Sequence, residues 1–96
     1  MKLLNKDNIV IEEVDFGLVE VLSTKQVELT LWNDSEGEVT DIVVTISNKE
    51  VSIVKQPSFL LPDGKEALVL SWTPTLEVKR GLKTTVSVQG TEIYRP

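Results

Sequence analysis

Apolar and polar positions alternate along most of this chain. Val27, Leu29 and Leu31 share one parity, and Glu28, Thr30 and Trp32 share the other. Ile42, Val44 and Ile46 alternate with Val43, Thr45 and Ser47, and Leu68, Leu70 and Trp72 with Val69, Ser71 and Thr73. Val86 and Val88 alternate with Thr85, Ser87 and Gln89. A side-chain period of two places each apolar set on one face of a β-sheet. The frequent valine and threonine favour the same reading. The best helical candidate, Thr75 to Lys79, is too short to hold itself as a helix.

Turn-forming residues interrupt these segments. Asp15-Phe16-Gly17, Asn33 to Gly37, Asn48-Lys49, Pro62-Asp63-Gly64, Pro74 and Lys79-Arg80-Gly81 supply Gly, Pro, Asn or Asp. Such residues give a turn its positive φ, its fixed φ or its local side-chain hydrogen bonds. The pattern predicts seven to eight strands, at 8–17, 18–22, 25–33, 38–47, 50–55, 57–61, 65–73 and 82–94, with a potential break at Gly90. Strands at this spacing, without helices, imply an antiparallel sandwich or barrel. The expected core is Val14, Phe16, Val19, Val27, Leu29, Leu31, Ile42, Val44, Ile46, Leu68, Leu70, Trp72, Val86 and Val88. Residues 1–8 precede the first strand signal and are expected to form a flexible arm, leaving 9–96 as a single domain.

Composition narrows the chemistry. The 96 residues contain neither Cys nor His. That removes thiolate nucleophiles, disulfides, thiolate or imidazole zinc sites, and any triad that needs an imidazole base. Ten basic residues against 15 acidic ones give a net charge of −5. This balance argues against a nucleic-acid partner, which selects clustered Lys and Arg. The apolar start Met1-Lys2-Leu3-Leu4 stops at Asn5, short of a secretory signal. No window approaches the 18 apolar residues of a membrane span. The chain reads as a small open reading frame made in a cytoplasm.

Four segments together resemble the immunoglobulin-like domains of the ASH and major-sperm-protein group. Val14-Asp15-Phe16-Gly17-Leu18-Val19 is similar to that group's "DFG-x-V" opening, and Val27 to Ser35 to its strand ending in "N-x-[ST/G]". Phe59 to Gly64, with Ala67 to Pro74 after it, is similar to "L-x-P-G" followed by a strand ending "F-x-P". Val86 to Thr91 is similar to the terminal "L-x-G". The resemblance runs from about residue 9 to 94. It implies an all-β, immunoglobulin-like antiparallel β-sandwich with non-catalytic, protein-binding or self-assembling work. It carries over no ligand site. Relatives that bind acidic peptides use a basic face, whereas Lys25 to Asn33 has one lysine and is followed by Asp34, Glu36, Glu38 and Asp41.

Candidate sites are few. The acidic stretch Asp34, Glu36, Glu38 and Asp41 offers oxygen ligands of the kind calcium takes, but its spacing is not an EF-hand loop, and a solvated hairpin is the preferred reading. No metal or other cofactor is expected. Asn33-Asp34-Ser35 matches a glycosylation acceptor, yet reads as a turn in a chain without a secretory route. A Ser–Lys dyad is the one nucleophile arrangement left, with Ser23, Ser58 and Ser71 as candidates. No Gly-rich oxyanion turn surrounds them, so an enzyme is not expected. Trp32 lies opposite Val27, Leu29 and Leu31 in parity and points outward or packs under a loop. With Val43 and Val69 it forms a candidate protein-interface patch. Ile53 to Leu61, broken by Pro57, reads as a guarded edge strand, with strand addition by a partner as the alternative. The expected function is that of a structural or interaction module, first an accessory protein that decorates or stabilises a large assembly such as a virus or phage particle. The alternative is a cytoplasmic ASH-like adaptor that binds a protein or peptide along a sheet edge. The expected partner is a protein or an assembly, with no nucleic acid and no membrane; a homo-oligomer is compatible with this reading, as is either a cytoplasmic or a virion location.

Overall fold

The structure, a computed structural model, describes residues 1–75 and 80–93. Seven strands follow one another: β1 (Lys2–Leu4), β2 (Glu13–Val19), β3 (Lys25–Trp32), β4 (Glu38–Ile46), β5 (Val51–Lys55), β6 (Lys65–Trp72) and β7 (Arg80–Ile93). They form two antiparallel sheets, one ordered β1-β3-β6-β5 and one ordered β2-β7-β4. No helix occurs among the described residues, and none there is long and apolar enough to cross a membrane. The helical candidate at Thr75 to Lys79 lies, after Thr75, outside the described residues, as do Lys79 of the expected turn and Tyr94 of the last expected strand.

The two sheets face each other across one apolar interior. Leu3, Leu29, Leu31, Val51, Leu68, Leu70 and Trp72 enter it from the first sheet. Val14, Phe16, Val19, Val39, Ile42, Leu82 and Val86 enter from the second. The indole of Trp72 is 1% exposed and meets the Phe16 ring edge to face, with centroids 5.9 Å apart and planes at 66°. Such a geometry suits the positive ring edge and negative ring face of aromatic side chains. Trp72 Nε1–H finds no acceptor among the described residues, so packing alone holds this side chain.

Most expected strands form at or near their predicted bounds, and three differences have clear causes. Residues 1–8 are not an arm. Leu3 and Leu4 are buried, and β1 pairs with β3 through Lys2–Trp32, Leu3–Leu31 and Leu4–Thr30. Two consecutive leucines were too short a signal against the polar run behind them, but an existing sheet edge supplies the missing hydrogen bonds. The predicted pair 8–17 and 18–22 is instead one strand, β2, with a register shift between Asp15 and Leu18. Gly17 sits there at φ 69°, and the Asp15 carboxylate accepts its N–H at 2.8 Å. A positive φ is cheap for glycine and lets the strand bulge rather than end. The predicted strand 57–61 is reduced to one bridge between Leu60 and Val39. Pro57 has no N–H to give a ladder.

Within the expected core, Val27, Val44, Ile46 and Val88 are only partly buried; the other positions are buried. Each of the four stands where a neighbouring strand stops. Val27 lies beyond the end of β1, Val88 beyond the reach of β2, and Val44 and Ile46 on the outer edge strand β4. β7 does not break at Gly90. The glycine lies against the Val39 side chain, where a Cβ would collide with it. Leu3, Leu4, Val39, Val51, Leu60 and Leu82 complete the buried apolar set.

Trp72→Ala is expected to lower the unfolding free energy by about 3–5 kcal/mol, the usual cost of emptying a buried aromatic site. Urea denaturation followed by far-UV dichroism checks this through the midpoint, with little change of slope.

Candidate interaction site

A surface groove of about 840 Å³ lies between β2 and β3. It exists because β1 is three residues long and β3 is eight. After β1 the chain reverses in a turn built on Asn5. The Asn5 side-chain oxygen accepts N–H groups from Asp7 at 2.9 Å and Ile9 at 3.0 Å, and Asn8 takes φ 62°. The returning residues run along the outside of β1, with Asn5 N–H donating to Ile9 O and Ile11 N–H to Leu3 O. Residues 3 and 5 therefore turn their backbone groups away from β3, and Leu4 turns its own toward Thr30. Backbone direction alternates along a strand, so Gln26 and Glu28 present their N–H and C=O groups on the side of Thr30. Among the described residues, no strand continues β1 beside them.

The groove floor is apolar, with Ile11, Val14, Phe16, Val27 and Leu29. Its rim carries four acidic residues, Asp7, Glu13, Asp15 and Glu28, against Lys6 and Lys25. The site thus offers unpaired strand backbone, an apolar surface for alternate side chains and a negative rim. The sequence marked Val14, Phe16, Val27 and Leu29 as core and none of the lining residues as part of a binding site. The signal that pointed to it was the mismatch between a two-leucine start and a long β3, and it is visible only once the two are known to pair.

The predicted patch does not assemble. Trp32 is half-buried on the outer face of the first sheet, its Nε1–H donates to Asp63 Oδ1 at 2.9 Å, and the Lys65 ammonium lies 5.5 Å from the ring centroid. These contacts satisfy the polar end of the indole and cover part of its face. Val69 is half-buried on the same face, but it pairs with Glu28, whereas Trp32 pairs with Lys65. Four residues of strand separate the two valine and tryptophan positions, roughly 13 Å. Val43 is 57% exposed and belongs to β4 in the other sheet. Parity in a sequence identifies a face of a strand; it does not say which strands share a sheet.

Asn33, read from the sequence as a turn residue, is fully buried and ties three segments together. Its side-chain N–H2 donates to Gly37 O at 2.8 Å, Leu61 O at 3.1 Å and Leu60 O at 3.2 Å. Its side-chain oxygen accepts Ser35 N–H at 3.0 Å and Ser35 Oγ–H at 2.6 Å, and its backbone N–H donates to Gly64 O. Asp34 turns outward beside it. The N-terminal ammonium of Met1 lies 3.1 Å from one carboxylate oxygen and Lys2 Nζ 3.6 Å from the other. The hydrogen bond from that ammonium, more than its charge or that of Lys2, holds the Asp34 carboxyl below its ordinary value. Asp34 is thus engaged with β1, away from Glu36, Glu38 and Asp41, and no cluster of three or more potential metal ligands forms among the described residues. Ser23 lies in the turn after β2, Ser58 in the loop before β6 and Ser71 within β6, so the three candidate nucleophiles fall in separate places.

No family model, curated protein or solved structure matches this chain.

Asn33→Ala strands several buried carbonyls at once and is expected to cost about 2–4 kcal/mol, since each orphaned buried group costs about 1–3 kcal/mol. Chemical denaturation measures it. Asp34 yields a pH dependence of definite sign. Its folded pKa is depressed, so its stabilisation is complete above the unfolded carboxyl value of about 3.9 and is lost as pH falls through the folded value. The stability advantage of the wild type over Asp34→Asn is expected to hold steady between about pH 5 and pH 7 and to shrink below about pH 4. Paired denaturation curves across that range check the sign.

Proposed function

We propose that the chain is an immunoglobulin-like, non-catalytic interaction module that accepts an extended segment of a partner protein in the groove between β2 and β3. The single observation that carries this reading is the open stretch of β3 at Lys25 to Leu29, flanked by an apolar floor. A strand added there would pair with the backbone of Gln26 and Glu28 and bury every second side chain against Ile11, Val14, Phe16, Val27 and Leu29. The acidic rim selects basic side chains at the positions between. The two antiparallel sheets support the sandwich part of this reading, and its immunoglobulin-like part rests on the resemblance of the sequence to the ASH and major-sperm-protein group. A subunit of a large assembly such as a virus or phage particle, the partner first expected from the sequence, would engage the module by supplying this segment. Outward patch binding through Trp32, Val43 and Val69 has less support, because those residues lie apart and Trp32 already holds Asp63.

A nine-residue peptide alternating valine and lysine is the probe. Titrated into isotope-labelled protein, it is expected to shift the amide resonances of Gln26 and Glu28 first, with weaker binding as salt rises. Gln26→Pro removes one groove-facing N–H from an exposed position at a strand edge and is expected to abolish the shifts while the fold survives. Absence of shifts at millimolar peptide, or binding indifferent to Gln26→Pro, rejects the reading.

A further inference from the structure

The two open sheets have four edge strands, β1, β5, β2 and β4, and they differ sharply in what could pair with them. β1 is covered by Ile9 to Ile11. β5 carries a bulge between Ile53 and Lys55. Antiparallel self-pairing of β2 sets Glu13 against Asp15, or Asp15 against itself, and like charges opposite one another destabilise a ladder. β4 is different. From Ile42 to Ile46 it reads Ile-Val-Val-Thr-Ile, with no charge, no proline and no glycine, and its pairing with β7 is regular from Val43 onward. Ser47 N–H donates to Thr85 O, so residues of odd number face β7 and the backbone groups of Val44 and Ile46 face away. The side chains of these two residues are only half-buried, and Val43 beside them is exposed.

We infer that two copies of this chain associate through β4, antiparallel about Val44, to form one continuous six-stranded sheet. In this register Ile42 of one copy faces Ile46 of the other, Val44 faces Val44, and Val43 faces Thr45. No charged pair opposes another, which matters in a chain of net charge −5. The interface is isologous and closed, as a two-fold dimer requires. Gln56 Nε2 already donates to Ile42 O, but at 3.3 Å this bond is long and leaves the second lone pair of the carbonyl for the partner. One edge pairing is a small contact, so the dimer is weak and concentration-dependent. It lies on the side of the molecule opposite the β2–β3 groove and stands independently of it.

Sedimentation velocity of the full chain over a concentration series tests the inference. The wild type is expected to pass from monomer to dimer as concentration rises, with slowed amide exchange at Val44 and Ile46 only at the concentrated end. Val43→Lys with Thr45→Lys, both at exposed positions, sets lysine against lysine across the interface and is expected to abolish the dimer. Val43→Lys with Thr45→Glu sets lysine against glutamate and is expected to restore it. Dichroism confirms that both variants fold. A wild type that stays monomeric throughout overturns the inference. So does a dimer that ignores the lysine pair, or one that the lysine–glutamate pair fails to recover.

Discussion

Backbone N–H and C=O groups need partners wherever water is excluded, and this requirement sets the plan of the molecule. Two open sheets can enclose one apolar interior, but each ends in an edge where the ladder stops. Here the ladders stop early. Among the described residues, β1 covers less than half of β3, β2 reaches only Val86 of β7 through the bond from Val86 N–H to Glu12 O, and β4 meets on its outer side one bridge at Leu60 and one side-chain bond from Gln56. The consequences appear in the side chains. Val27, Val44, Ile46 and Val88 have the parity of core residues and yet are only half covered. Interior-facing apolar side chains beside unpaired backbone are the two ingredients of strand addition. Both proposed surfaces, the β2–β3 groove and the β4 edge, arise from this incompleteness.

What keeps such open edges from loosening the fold is a small set of polar locks. Asn33 joins the β3–β4 turn to the loop before β6 through carbonyls that would otherwise be buried without donors. Thr84, buried in β7, holds the β4–β5 turn by accepting Asn48 N–H at 3.1 Å, while Ser47 Oγ accepts Thr85 N–H at 2.9 Å. Asp34 draws in the start of the chain and with it β1, whose Leu3 joins the interior on that side. In a domain without disulfides, these short-range networks do what cross-links do elsewhere: they fix where each turn leaves the sheet.

Much of this architecture could be read from the chain. Alternation located β3, β4, β6 and β7 and singled out Trp72 as the central side chain, because a period of two is a local property of the backbone and survives any tertiary arrangement. Turn chemistry was equally local: Asp15, Asn33 and Asn48 all bond the backbone two residues ahead. Absence of Cys and His bounded the chemistry before any fold was known. Strand pairing is another matter. Whether Leu3 and Leu4 form a strand depends on an edge of β3 about 30 residues away, and whether Val43 and Trp32 share a face depends on which sheet each strand joins. The length of β1 relative to β3, which opens the groove, is a relation between distant segments and has no local signature. Periodicity states which way a side chain points; only the closing of long-range hydrogen bonds states what, if anything, stands beside it.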